Sequence, residues 1–174
     1  MTAPVIETGR LVLRGHTLAD FPESAAMWAD PLVTRHIGGR PFTEEESWGR
    51  VLRYGGLWAL LGYGYWVVRE RESGRFVGEV GLAEFRREVT PSLDGAPEAG
   101  WVLAPWAHGR GYATEAVRAA LSWADANLAA PGTACLIAPE NAASIHVARK
   151  CGFRERTRGT YKGEETLILE RPRP

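Results

Sequence analysis

Two glycines in His108-Gly-Arg-Gly111 stand directly before a stretch whose apolar residues recur at helical spacing. Ala113, Ala116, Val117, Ala120, Leu121, Ala124 and Leu128 fall on one stripe at the i, i+3, i+4, i+7 period. Upstream, Glu98-Ala-Gly-Trp-Val-Leu103 is apolar and β-friendly, and Pro105 lacks the backbone donor that a continuing ladder needs. The order is strand, glycine turn, helix. Such a turn leaves the first N–H groups of the helix unobstructed. With the positive end of the helix dipole they form an anion site suited to phosphate. A tight turn with no ligand is the other reading of the same residues.

Spacing excludes two common phosphate motifs. The dinucleotide fingerprint requires a third small residue three positions after Gly111, where Thr114 stands. The nucleotide triphosphatase loop requires Gly-Lys-Ser/Thr, which occurs nowhere in the chain. A third pattern fits: a strand, then x-x-Gly-x-Gly/Ala entering a helix, here His108-Gly-Arg-Gly111-Tyr-Ala113. It resembles the coenzyme A pyrophosphate loop of the GNAT N-acetyltransferase superfamily.

The surrounding chain must position this loop. Its 174 residues, 45% apolar and 24% charged, suit a single domain with a real core. Lys plus Arg and Asp plus Glu number 21 each, so the composition does not suggest non-specific nucleic-acid or membrane binding. The N-terminus has no signal-peptide pattern, and no apolar run approaches the ~18 residues that span a bilayer. Cys135 and Cys151 sit in apolar surroundings without metal-ligand spacing. The expectation is a cytoplasmic protein with reduced thiols and no metal. Seven tryptophans hint at an aromatic-walled pocket, although core packing explains any single one equally well.

In chain order, Arg10 to Arg14 reads as a strand, and Thr17-Leu-Ala-Asp20 as a capping box opening a helix to about Ala29, closed by Asp30-Pro31. Thr43-Glu-Glu-Glu46 is a second box. Its helix carries a Trp48, Val51, Leu52, Gly55, Trp58, Ala59 stripe, weakened at Gly55-Gly56. Tyr65–Val68 and Phe76–Leu82 form a hairpin, and residues 86–97 a loop before the central strand. After the long helix come a strand at Thr133–Ala138, a helix capped by Asn141 and ended at Gly152, and two closing strands. This mixture requires one central sheet with helices on its faces.

The residues along this order resemble the ribosomal-protein N-terminal acetyltransferase-like branch of GNAT. They are Thr8-Gly-Arg-Leu-Val-Leu-Arg14, Asp30-Pro-Leu-Val-Thr34, the glycine loop, Asn141-Ala-Ala-Ser144 and Lys150-Cys-Gly-Phe153. The resemblance implies an α+β GNAT fold of about seven strands, splayed at the middle, with about four helices. It implies acetyl-CoA as cosubstrate and a peptide or small-molecule amine as acceptor, in a monomer or homodimer. Backbone N–H groups from Gly109 through Arg110, Gly111, Tyr112 and Ala113 to Thr114 are then expected to take the pyrophosphate. The strand backbone near Val102 and Leu103 is expected to pair with the pantetheine arm. His108 departs from the family pattern of Gln or Arg. It either tunes affinity or is an exposed turn residue. Asn141 is expected to cap its helix and touch the coenzyme.

Acetyl transfer to an amine requires the amine to lose a proton and the departing thiolate to gain one. Glu98, before Gly100-Trp101, is the candidate base, with room beside Gly100 for an acceptor or a water. An exposed strand-end glutamate is the alternative, and Glu79 is a second candidate base or acceptor-binding anion. In many GNAT enzymes a tyrosine four residues beyond Ser144 protonates the sulfur; Ala148 stands there. Ser144 is either the implied substitute or part of the cap. Neither cysteine has a partner that would lower its pKa, which favours direct transfer over a ping-pong route. Residues 35–48 and 86–97, with Trp48, Tyr54, Trp58 and Trp101, are expected to shape the acceptor pocket. A coenzyme A-binding sensor that has lost chemistry is the alternative function.

Overall fold

The strands are β1 (Ile6–Glu7), β2 (Leu11–Arg14), β3 (Tyr65–Glu70), β4 (Phe76–Ala83), β5 (Val89–Thr90), β6 (Glu98–Leu103), β7 (Gly132–Ile137), β8 (Arg154–Tyr161) and β9 (Glu164–Pro172). The helices are α1 (Phe21–Trp28), α2 (Pro31–Thr34), α3 (Glu44–Leu61), α4 (Tyr112–Asn127) and α5 (Ala142–Lys150). These elements come from a computed structural model that describes residues 2–174. The strands form one open sheet in the order β1-β2-β3-β4-β6-β7-β9-β8-β5.

Nine strands and five α-helices among the described residues replace the expected seven and four. The additions are β1, β5 and α2. β1 and β5 are two residues each, too short for a period-2 pattern to show. β5 lies inside the expected 86–97 loop, held by pairing of Val89 with Tyr161. Asp30-Pro31 does not only close α1. The Asp30 side chain accepts from the Leu32 N–H at 2.8 Å and Pro31 takes the first helical position, so the pair opens α2. Thr17–Asp20 leads first into a 3₁₀ turn, with Asp20 accepting from the Thr17 N–H at 2.8 Å. α3 runs without interruption through Gly55-Gly56 and ends at Gly62, which is left-handed at φ 76°.

The core lies where the expected α4 stripe meets the sheet. Ala116, Val117, Ala120, Leu121 and Ala124 pack in one cluster with Val80, Leu82 and Leu103. Trp58, Trp66 and Trp123 meet edge to face in the same cluster, with ring centroids 4.8–5.3 Å apart. All adjacent strands pair antiparallel except β6 and β7. Those two are parallel and paired only at Glu98 and Ala134. Beyond that pairing the sheet is split, and the split opens the site.

Candidate active site

Two clefts meet at the split. The larger, about 750 Å³, is lined by Val102 and Leu103 of β6, by His108, Gly109 and Gly111–Thr114 of the loop and α4, and by Asn141 and Ser144 at α5. The sequence-selected residues are therefore brought together, with two exceptions. Arg110 does not line this cleft, and its Nε donates to the Trp106 carbonyl at 3.1 Å. Glu98 lines the second cavity instead.

The loop has the form that an anion requires. Gly111 is the N-cap of α4 in a left-handed conformation, φ 78°, and no side chain caps the helix. Its first N–H groups are left for a ligand. Arg10 braces the turn: its Nη1 donates to the Arg110 carbonyl at 2.9 Å and its Nε to Glu115 at 2.7 Å. Tyr112 is buried beneath the Arg10 guanidinium, 4.6 Å from its ring, and donates to Glu70. The cleft thus joins an uncapped helix N-terminus to the backbone of β6.

His108 does more than fill an exposed turn. Its Nε2 lies 2.9 Å from the Leu103 carbonyl. A carbonyl only accepts, so Nε2 carries the proton in this contact. One of the backbone acceptors expected for the pantetheine is therefore already bonded.

At α5 the Asn141 side chain accepts from the Ser144 N–H at 3.1 Å, the expected cap. The Ser144 main chain takes part in that cap. Its hydroxyl makes no hydrogen bond among the described residues, and Ser144 lines both clefts. Ala148 is wholly buried in the core cluster with Ala116 and Phe153. The methyl of Ala148 offers no proton to a departing thiolate.

The second cavity, about 140 Å³, shares His36, Ile37, Trp101, Val102, Asn141 and Ser144 with the first. Glu98, 6% exposed, is not a solvated strand end. Arg87 Nε donates to its Oε2 at 2.6 Å, while Oε1 has no partner among the described residues. Burial alone would lower the Arg87 pKa, but the bond and charge of Glu98 outweigh it and raise it.

The room expected beside Gly100 is already filled. Tyr65, Gly81 and Gly100 are in register across three strands, and the Tyr65 ring crosses both glycines. A Cβ at residue 100 would lie 2.0 Å from the Tyr65 hydroxyl. Tyr65 thus lines the cavity. Burial, then the charge of Glu98, raises its phenol pKa. Sequence reading missed Tyr65. The two aligned glycines were the available signal, but they require the strand register to be known.

Glu79 leaves the list of candidates. It is 0% exposed and lines neither cleft. Ser24 and Trp28 donate to it at 2.6 and 3.0 Å, and His16 lies at 3.3 Å. Burial pushes its pKa up, but His16, Ser24 and Trp28 pull it below the usual carboxylate value. Of the aromatics expected at the acceptor pocket, Tyr54 and Trp101 are there. Trp58 belongs to the core, and Trp48 stands edge-on to Phe21 with 40% of its surface exposed. Burial also raises both thiols, Cys135 well above its usual value, so neither is an activated nucleophile.

Among the described residues, no helix is long and apolar enough to cross a membrane, and no group of three or more His, Cys, Asp or Glu could hold a metal ion. Residues 10–154 match the acetyltransferase (GNAT) domain model. The uncharacterized Bacillus subtilis protein YkkB is 36% identical over 131 residues, 73% of this chain and 71% of its own. A structure described as a GnaT-family acetyltransferase from Bordetella pertussis is 33% identical, with a TM-score of 0.84 over 97% of this chain and 99% of that one. In fold alone, at 18% identity and a TM-score of 0.74, the likeness extends to spermidine N-acetyltransferase from Vibrio cholerae in complex with CoA and spermine. That match covers 95% of this chain and 97% of the other. An uncapped glycine turn beside a split sheet, and a domain match over most of the length, have one explanation: the chain belongs to the GNAT acetyltransferase family.

Proposed function

We propose that the chain is an acetyl-CoA-dependent N-acetyltransferase acting on a primary amine by direct attack within a ternary complex. One observation carries this reading. The cleft with the open helix N-terminus joins the second cavity along Trp101, Val102, Asn141 and Ser144. An acyl donor in one and an amine in the other would meet at that seam.

Acetyl-CoA supplies the activated acyl group. Gly109–Thr114 would hold its pyrophosphate through main-chain N–H groups, and β6 would align the arm. Glu98 would take the proton of the amine through its unpartnered Oε1, directly or through a water. The Ser144 hydroxyl, unbonded and at the seam, would donate to the departing sulfur. With both thiols buried and their pKa values raised, no acetyl-enzyme step is required. The motifs quoted above align the chain with the ribosomal-protein acetyltransferase branch. The alternative is a coenzyme-binding sensor, favoured by Ala148 in place of the tyrosine acid.

Thiol release from acetyl-CoA across a panel of peptide and small-molecule amines tests the reading. Amine-dependent release with recovery of the acetylated amine is expected. Coenzyme A binding without release on any amine would favour the sensor.

A further inference from the structure

The cavity that would receive the amine contains donors and cations with nothing to bind. Its fully charged lining groups are Arg50, Arg87 and Glu98, two cations against one anion. Glu98 is committed to Arg87. Arg50 makes no ion pair among the described residues, and its buried Nε has no partner. Its guanidinium lies over the Trp28 ring at 3.9 Å and over Phe42 at 5.0 Å. The Tyr54 hydroxyl lies within reach of the Arg50 side chain and in the field of the buried Glu79 carboxylate. The residue is 1% exposed and lines the cavity, and its own O–H has no acceptor. Tyr54 is locked in place by stacking on Tyr65, with centroids 4.6 Å apart and planes 10° apart.

Buried donors without acceptors carry a desolvation cost that a ligand can relieve. A guanidinium and a phenol O–H are both donors suited to a carboxylate. One turn along α3, Arg53 adds a further unpaired cation over Phe85, at 5.1 Å, and Arg87 covers the same ring at 4.6 Å. A polyamine or an aminoglycoside would bring several ammonium groups into this field at a Coulombic cost. The free volume, about 140 Å³, is that of a small molecule.

Resting on the N-acetyltransferase reading above, we propose that the acceptor is a small amine bearing a carboxylate, of the amino-acid type, and that Arg50 and Tyr54 bind that carboxylate. The substrate amine then reaches the seam while its carboxylate is held at Arg50. Arg50 and Tyr54 set specificity and play no part in the proton transfers.

The test is steady-state thiol release at saturating acetyl-CoA with matched pairs: each proteinogenic L-amino acid and its carboxamide, together with spermidine and kanamycin. At least one amino acid is expected to exceed its own amide in kcat/KM by roughly 10²-fold or more, as expected when a site built to bond a group meets an analogue lacking it. Arg50→Met and Tyr54→Phe should each raise KM for that acid by about tenfold or more, with kcat little changed. Arg50→Lys should recover part of the loss. Calorimetry with coenzyme A reports whether each variant is folded. Amides, spermidine or kanamycin used as well as the acids, or an Arg50→Met penalty equal for acid and amide, would overturn this inference alone. Coenzyme A binding with no amine of any class acetylated would overturn the transferase reading itself.

Discussion

Arg87 joins Glu98 to Tyr161: its Nε donates to Glu98 Oε2 at 2.6 Å and its Nη1 lies 2.9 Å from the Tyr161 hydroxyl. The β5–β8 pairing holds the other side of this contact, so the short strand missed in the sequence helps to position the proposed base. Glu98→Gln keeps an oxygen for Arg87 and removes the charge. It should cost roughly 10²–10⁴-fold in kcat/KM at neutral pH, the usual range for general base catalysis. Activity should recover at high pH, where free amine is abundant. A variant with the wild-type pH–rate profile would remove Glu98 from this role.

Ser144 is tested separately from its cap, because the cap uses its main chain. Ser144→Ala should lower kcat by more than about tenfold with little change in acceptor KM, the pattern of an interaction made in the transition state. Asn141→Ala should instead cost about 1 kcal/mol of stability. A kcat loss below about threefold for Ser144→Ala would leave the serine with no catalytic part.

Gly111 is left-handed, and a side chain there adds strain of roughly 1–2 kcal/mol before any ligand is considered. Gly111→Ala should weaken coenzyme A binding measurably, and Gly111→Glu should nearly abolish it by placing a carboxylate beside the phosphate seat. Calorimetry reads both. Wild-type affinity in a folded Gly111→Glu protein would overturn the phosphate-loop assignment.

The buried carboxylate that ties β2 and β3 to the 3₁₀ turn is Asp20. Arg14 donates to both its oxygens at 2.8 Å, and Arg69 to Oδ1 at 2.7 Å. Burial pushes its pKa up, but bonds from Arg14, then Arg69, and from Thr17 outweigh this and hold it well below the usual carboxylate range. A folded pKa below the unfolded one means the contribution is full above about pH 4 and is lost as pH falls. Asp20→Asn should cost about 2 kcal/mol at pH 7, less than a fully buried pair, because Arg14 and Arg69 keep 31% and 20% of their side chains exposed. Urea titrations should show a shallower loss of stability on the acid side in the variant. An unchanged acid limb would contradict the assignment.

Local chemistry made much of this legible. The α4 stripe, the glycine turn, the Thr43 box and the Asn141 cap each announce themselves within a few residues. The first two and the last build the larger cleft, and the Thr43 box opens α3, which lines the second cavity. What the sequence conceals depends on register and long-range pairing. Nothing near Gly100 announces that Tyr65, 35 positions earlier, fills the space beside it. Glu79 reads as a free strand carboxylate until Ser24 and Trp28, far upstream, close over it.

The central claim is direct transfer across the seam between the two clefts. Intact-mass measurement of the protein after incubation with acetyl-CoA, before and after adding an accepted amine, tests it most directly. The account predicts an unmodified protein throughout and one thiol released per acetylated amine, only once the amine is present. An acetyl group on Cys135 or Cys151 that chases into product would contradict it.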